Sequence, residues 1–370
     1  MSDSSPWTVE VLIIGGGQAG LSASSHLSRL GIHDHVVLEK NRIFHSWREE
    51  RWDSFCLVTP NFQCRLPGHP YDGDDPEGFM SREEIVAYLE RFASRLRAPI
   101  HEGVSVRAVT AHGDGFLVET SEGDWSAGQV ICAIGAHHTP ILPPGSDRIP
   151  RSIRQLVATE YRNPDQMPAQ GSIAVVGSGQ SGCQIAEDLH RAGRQVHLFL
   201  GNAPRSPRRY RGKDAVTWLE EMGYYATTFE QLDDPQRARE STNHYLSGRD
   251  GGKEIDLRQF AREGMQLYGY LESIAATGFR NRPDAAEKLE AADRSYRGIR
   301  ERIDDYIERA GLDAPEEPPY EPPWEPPALE PTELDFARAE VSAVVWCIGF
   351  RPDFHFLPPV VTDARGHPRH

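Results

Sequence analysis

The chain has 370 residues, 38% of them hydrophobic and 26% charged, with a formal net charge of −15. That length allows two or three domains and a large buried core. The negative balance argues against nucleic acid or an anionic membrane surface as a partner, since their phosphates would be repelled.

No run reaches the ~18–20 apolar residues that a membrane helix requires. Met1–Glu10 is polar and acidic, unlike a secretory leader, so a cytoplasmic protein is expected. The cysteines (Cys56, Cys64, Cys132, Cys183 and Cys347) are scattered and form no Cys-x-x-Cys pair. Free thiols in a reducing compartment are expected, with neither a dithiol centre nor a metal site.

Val9 to Ile14 is a short branched apolar run that stops at Gly15-Gly16-Gly17-Gln18-Ala19-Gly20. Leu21 to Leu30 reads as a helix closed by Gly31, and His35 to Leu38 as a strand with Glu39 at its tip. A second helix starts at Ser81, where Glu84 completes capping-box spacing and Ile85, Leu89, Phe92 and Leu96 share a face. Phe116–Thr120 and Gln129–Ala133 read as strands, and Pro140, Pro143 and Pro144 mark a boundary.

The first pattern then returns. Ile173–Val176 leads into Gly177-Ser178-Gly179-Gln180-Ser181-Gly182, a helix to Ala192, Gly193, and a strand from Gln195 to Leu200. The spacing from Gly15 to Gly31 equals that from Gly177 to Gly193, so one β-turn-α-β unit occurs twice. Residues 214–310 read as mainly helical. Eight prolines among the seventeen residues from Pro315 to Pro331 predict an extended, solvated connector. Val341–Trp346 is a final strand before Cys347-Ile348-Gly349.

Each glycine turn suits a pyrophosphate. Gly15 permits the tight turn, Gly17 lets phosphate approach the backbone, and Gly20 lets helix pack on strand, with the helix N-terminus facing the negative charge. Glu39, 24 residues after Gly15, can accept hydrogen bonds from ribose hydroxyls, which suits FAD. Gly177, Gly179 and Gly182 repeat the geometry without a carboxylate after the strand. Arg205, Arg208, Arg209, Arg211 and Lys213 follow instead. Guanidinium groups there would favour the 2′-phosphate of NADPH over the free hydroxyl of NADH.

These features resemble the class B flavin-dependent monooxygenases, a group that includes flavin-containing monooxygenases, auxin-forming enzymes and N-hydroxylases. Gly15–Gly20 with Glu39-Lys40 matches the FAD fingerprint, and Trp47-Arg48 matches a dipeptide near the flavin. Trp52-Asp53 through Leu66-Pro67 and Pro70-Tyr71 resembles the auxin-forming branch, while Ala133-Ile134-Gly135 and Cys347-Ile348-Gly349 resemble the two interdomain linkers. Position 157 is valine where the family has a histidine four residues ahead of an aromatic, here Tyr161, which counts against Baeyer–Villiger activity.

The resemblance implies an α/β fold with two Rossmann-like domains. The FAD domain would occupy residues 1–150, and an inserted NADPH domain with a helical insert residues 151–335. The chain would return to the FAD domain over 336–370, with a flavin-closing segment beyond His370. Gly15, Gly17, Gln18, Ala19, Gly20, Glu39, Lys40, Trp47, Arg48, Val106, Ala133 and Gly135 would contact FAD. Gly177, Gly179, Gln180, Ser181, Gly182, Arg205, Arg208 and Arg209 would contact NADPH. Asn61 is the candidate polar residue at the reacting flavin.

The implied reaction is NADPH-dependent formation of a C4a-(hydro)peroxyflavin from O₂ and oxygen transfer to a small molecule at nitrogen or sulfur. An NADPH-dependent flavin reductase without oxygen transfer, and a nucleotide-binding sensor module, are the alternatives. His137-His138 are adjacent in extended chain and point to opposite faces, so they do not read as a ligand pair. A homo-oligomer is compatible with the sequence.

Overall fold

The computed structural model describes residues 5–97, 99–235, 238, 241–364 and 366–369. Strand β1 (Trp7–Ile14) is buried along its second half and leads through the first glycine turn into helix α1 (Gln18–Arg29). Strand β2 (His35–Glu39) then returns parallel to β1, with Ile14 beside Leu38. Helix α2 (Arg82–Ala93) carries the expected capping box: the Ser81 hydroxyl accepts from the Glu84 N–H, and the Glu84 carboxylate accepts from the Ser81 N–H at 2.8 Å.

The chain continues through β3 (Ile100–Glu102), β4 (Val106–His112), β5 (Gly115–Thr120) and β6 (Trp125–Cys132). The six strands form one sheet in the order β3-β2-β1-β6-β5-β4, parallel from β3 to β6 and antiparallel beyond. The β4–β6 meander closes over one face, packing Val118 and Trp125 on Leu12, Val36 and Leu38. On the other face, Ile13 and Val37 meet Leu21 of α1 and the Ile85–Leu89–Phe92 face of α2. A parallel sheet covered on both faces explains the unbroken apolar runs of β1 and β2.

A second half follows β7 (Thr139–Pro140). It contains β8 (Arg154–Val157), β9 (Ser172–Val176), helix α3 (Gln180–Arg191), β10 (Val196–Phe199), and helices α4 (Ala215–Glu221) and α5 (Leu257–Arg262). Next come β11 (Gln266–Tyr268), β12 (Leu271–Ala275), β13 (Gly278–Asn281), helix α6 (Ala285–Ala310), β14 (Glu333–Asp335), β15 (Val341–Trp346) and β16 (Phe350–Arg351). A five-stranded parallel sheet runs β8-β15-β9-β10-β11, and β12-β13-β14 forms a separate antiparallel sheet.

Two expectations are corrected here. Residues 214–310 are not mainly helical, because β11, β12 and β13 lie between α5 and α6. These strands are only three to five residues long and are separated by two-residue links, too short for an alternation to stand out. Gly269 is required at the bend, where a Cβ would lie 2.0 Å from the Arg282 carbonyl oxygen.

The return to the first half does not begin at residue 336. Strand β15 lies inside the second sheet between β8 and β9, and the chain rejoins the first core only at Phe356. A strand buried on both faces fits either sheet by composition, and only its pairing partner decides.

The proline-rich connector wraps the surface as expected, with no buried residue from Pro315 to Pro331, but it is fastened there. Trp324 packs on the second core, its carbonyl accepts from Arg258 at 3.0 Å, and the Pro318 carbonyl accepts from Arg300. Glu330 accepts from the Ala285 and Ala286 N–H groups at 2.7 and 3.0 Å, placing a carboxylate on the positive end of α6. The segment is a strap fastened along its length.

Candidate functional site

Both glycine turns have the backbone a dinucleotide requires. At the first, Gly15 has φ +109°, and a Cβ there would lie 2.6 Å from the Ala133 carbonyl oxygen. A Cβ on Gly20 would lie 1.9 Å from the Gly15 carbonyl oxygen, so α1 can approach β1 only without one. Above Gly17 nothing lies within 4 Å, and Gln18 and Ala19 are exposed, leaving the first turn of α1 open to a phosphate.

Glu39 stands at the end of β2. Its Oε2 accepts from the Gly16 N–H at 2.7 Å and its Oε1 from the Asn41 N–H at 2.8 Å. Each oxygen keeps a further acceptor direction for a ribose hydroxyl. Lys40 is exposed beside it, and Val106 opens β4, half-buried against the first core. Gly135 has φ +77° where the chain leaves the first sheet. These residues fit a bound FAD.

The second turn repeats this geometry atom for atom. Gly177 has φ +103° and a Cβ there would lie 2.5 Å from the Cys347 carbonyl oxygen. A Cβ on Gly182 would lie 1.8 Å from the Gly177 carbonyl oxygen, and above Gly179 nothing lies within 4 Å. Gln180 and Ser181 are half-exposed at the helix start. Cys347 and Gly349 (φ +98°) therefore serve the second turn as Ala133 and Gly135 serve the first.

The position matching Glu39 is Gly201. Its N–H donates to the Ser178 hydroxyl at 2.9 Å, and Ser178 is the counterpart of Gly16. The bridging side chain has changed ends and lost its charge. These residues fit a nicotinamide dinucleotide, with no carboxylate to repel a 2′-phosphate.

The arginines expected to bind that phosphate are elsewhere. Arg205, with a side chain only 3% exposed, pairs with Asp256 and Asp293 at 2.9 Å each and with Glu254, between the rings of Tyr296 and Tyr320. Burial alone would lower its pKa, but the Glu254 and Asp256 carboxylates raise it well above the ordinary value. Arg208 is buried against Asp214, donates to the Val58 carbonyl at 2.8 Å and stacks on Phe79. Recruiting either to a ligand would strand buried carboxylates. Arg209 is exposed on the short ribbon that continues to Asp214.

A cleft of about 600 Å³ runs along the second turn, lined by Gly177, Gly179, Gln180 and Asn202 on one wall and by His137 and Phe350 on the other. Its size suits a cofactor.

The family described as pyridine nucleotide-disulphide oxidoreductase matches residues 12–298, which contain both turns. The chain belongs to this family. An uncharacterized CzcO-like oxidoreductase from Geobacillus kaustophilus is 36% identical over 216 residues, covering 58% of this chain and 61% of that protein. The probable indole-3-pyruvate monooxygenase YUCCA1 of Arabidopsis thaliana is 31% identical over 195 residues, covering 52% and 47%. The chain thus spans only about half to three fifths of these curated relatives.

A solved flavin-containing monooxygenase from Stenotrophomonas maltophilia superposes with a TM-score of 0.65 at 20% identity, covering 98% of this chain and 85% of that one. The likeness shows a shared fold, and the two-Rossmann α/β architecture read from the sequence stands.

In this family member, Trp47 is half-buried under the first sheet and Arg48 donates to Glu90 at 2.6 Å and to the Ile43 carbonyl at 3.1 Å. Asn61 is buried at the start of a short 3₁₀ turn. Its side-chain amide donates to the Asp75 carbonyl and accepts from the Met80 N–H, both at 2.9 Å, so it clamps a loop.

His137 was passed over in the sequence because it offers no ligand pair. It lines the cleft, with its pKa lowered by burial and then by the charges of Arg51 and His138. Arg51 lies over the rings of Trp47 and Phe55, at 5.2 and 5.8 Å from their centroids. Neither residue belongs to a motif that sequence spacing could have flagged. His138 does face away from His137, accepting from the Asp353 N–H at 2.7 Å.

Proposed function

We propose that this chain is the nucleotide-binding body of an NADPH-dependent flavoprotein monooxygenase that oxygenates a small molecule at a nucleophilic nitrogen or sulfur. One observation carries the reading. The two glycine turns are equivalent in backbone, but one is followed by a carboxylate and the other by a neutral serine–glycine bridge. That difference supports FAD at Gly15–Gly20 and Glu39, and NADPH at Gly177–Gly182.

FAD supplies the electron transfer and oxygen activation when bound. The chain's own residues bind and orient. Gly17 and Gly179 admit phosphates to the helix N-termini, and Glu39 holds a ribose. Arg51, over the half-buried Trp47, would help limit water beside the reacting centre. His137, exposed on the cleft with its pKa lowered by desolvation and the charge of Arg51, would offer a hydrogen bond there. Transfer to a soft nucleophile needs no protein nucleophile, in keeping with the absence of a recognisable triad in the sequence. Relatives named as monooxygenases support this class of reaction.

In domain terms, residues 1–150 with those after Gly349 would form the FAD domain and residues 151–349 the NADPH domain. The test is to reduce the purified flavoprotein with NADPH and mix it with O₂ in a stopped-flow instrument. A resolved transient before the oxidised spectrum returns, with less than one H₂O₂ released per NADPH, is expected. Direct reoxidation with stoichiometric H₂O₂ across a panel of amines and thioethers would replace the reading with a reductase.

A further inference from the structure

The buried state of Arg205 and Arg208 leaves the second turn without its expected cation. A different one stands at its rim. Asn202 follows Gly201 directly and lines the same cleft as Gly177 and Gly179. Its Oδ1 accepts from Lys288 Nζ at 2.6 Å. Lys288 lies in the first turns of α6, 86 residues away, with a side chain 16% exposed.

Tyr270 also lines the cleft, and its ring centroid is 5.9 Å from Lys288 Nζ and 5.2 Å from the Arg282 guanidinium. Two acids share the rim. Asp284 lies 3.6 Å from Lys288 Nζ but already accepts the Tyr270 N–H at 2.8 Å, and Glu272 pairs with Arg282 at 3.0 Å.

We propose that Lys288, steered by Asn202, is the specificity-determining cation for the 2′-phosphate of NADPH. The proposal rests on the second turn holding a nicotinamide nucleotide. The residue after the second strand of a Rossmann unit is where the adenosine ribose is read. At the first turn that reader is Glu39, an acceptor for hydroxyls. At the second, Gly201 stands in that position without a side chain, and the next residue is Asn202, a neutral amide with an ammonium ion attached. An ammonium has three donors. One is on Asn202 and one faces Asp284, which leaves one for a phosphate oxygen. Lysine serves as a point charge here.

The experiment is calorimetric binding of 2′,5′-ADP and of 5′-AMP to the intact flavoprotein, ligands that differ only by the 2′-phosphate. Unmodified protein should bind 2′,5′-ADP more tightly. Lys288→Met should weaken 2′,5′-ADP by at least ~10-fold, the worth of a charge-assisted hydrogen bond, and 5′-AMP by less than ~2-fold. Asn202→Asp, a substitution at the open rim, should weaken 2′,5′-ADP similarly through repulsion, and Lys288→Arg should retain part of the preference.

Equal weakening of both ligands by Lys288→Met, or of neither, overturns the proposal. Should Lys288→Met melt before it can be measured, undiminished 2′,5′-ADP binding by Asn202→Asp overturns it instead. Binding of neither nucleotide by the unmodified protein would overturn the reading of the turn as well. That failure differs from tight nucleotide binding that ignores Lys288.

Discussion

The two dinucleotide turns are 162 residues apart and superimpose in register, so every difference between them sits on a common backbone. Gly15 and Gly177, Gly17 and Gly179, and Gly20 and Gly182 do the same work. Around them the polar chemistry diverges. In the first, Glu39 reaches back to the Gly16 N–H. In the second, Ser178 reaches forward to the Gly201 N–H. The backbone recognises what all dinucleotides share, and the residues at the ends of the second strands recognise what distinguishes them.

The same comparison extends into the core. His35 of β2 and His197 of β10 occupy matching positions. The His35 ring meets the Ser24 hydroxyl and the Ile32 carbonyl, both at 2.9 Å. His197 meets only the Tyr268 hydroxyl, at 3.2 Å, and its buried Nε2 has no partner among the described residues. The residue matching Ser24 is Ala186. Burial pushes the His197 pKa down to about 4.

The sharpest way to break the equivalence is a methyl group at the third glycine. Gly20→Ala and Gly182→Ala should each cost more than ~4 kcal/mol, because the added carbon overlaps a backbone oxygen that cannot move aside. Gly17→Ala and Gly179→Ala should fold normally and lose only cofactor affinity. Thermal melts with flavin content decide this, and a folded, stable Gly182→Ala would refute the close-approach argument.

Arg205→Met should lower stability by about 3–5 kcal/mol, since it strands buried carboxylates. It should leave the ratio of NADPH to NADH affinity unchanged, and a collapse of that ratio would return the arginine cluster to the phosphate site. Glu39→Gln keeps the shape but loses charge-assisted bonds to the Gly16 and Asn41 N–H groups. FAD should dissociate more readily by about 1.5–3 kcal/mol, read by titrating apoprotein, while NADPH binding is unaffected.

The smallest effects concern the histidine pair. Ser24→Ala should destabilise by about 1–2 kcal/mol, and Ala186→Ser should stabilise by about 0.5–1 kcal/mol by giving His197 the missing hydroxyl. Denaturation of Ala186→Ser to a lower midpoint would show that the second site cannot accept the group.

Because the folded His197 pKa lies below the ordinary value near ~6.5, the unfolded chain binds the proton first. Its contribution to stability is therefore complete above about pH 6.5 and is lost as pH falls from there toward about 4. His197→Gln should flatten that slope in urea titrations performed between those values.

How much of this was legible in the sequence follows from how local each requirement is. The capping box depends on neighbours a few residues away, and the glycine turns and Glu39 belong to a unit of fixed spacing, so each stands where the sequence places it. Arg205 read as a phosphate ligand because its acids are distant, with Asp293 88 residues further along. The contacts of the Asn61 amide with Asp75 and Met80 were not legible either, because they lie 14 and 19 residues along the chain. The strand 341–346 was assigned to the wrong sheet for a related reason, since its apolar residues suit either core.

One feature bears on how the molecule can move. The chain crosses between its sheets twice, and the two crossings lie side by side, with Phe350 opposite Pro140 and Arg351 opposite Thr139. The halves are also joined away from this ribbon: Trp52 sits in the second core, Ser54 donates to Asp188 at 2.7 Å and Asn163 donates to Asp53 at 2.6 Å. The ribbon is thus one of several fastenings, and together they hold the second turn at a set distance from the first.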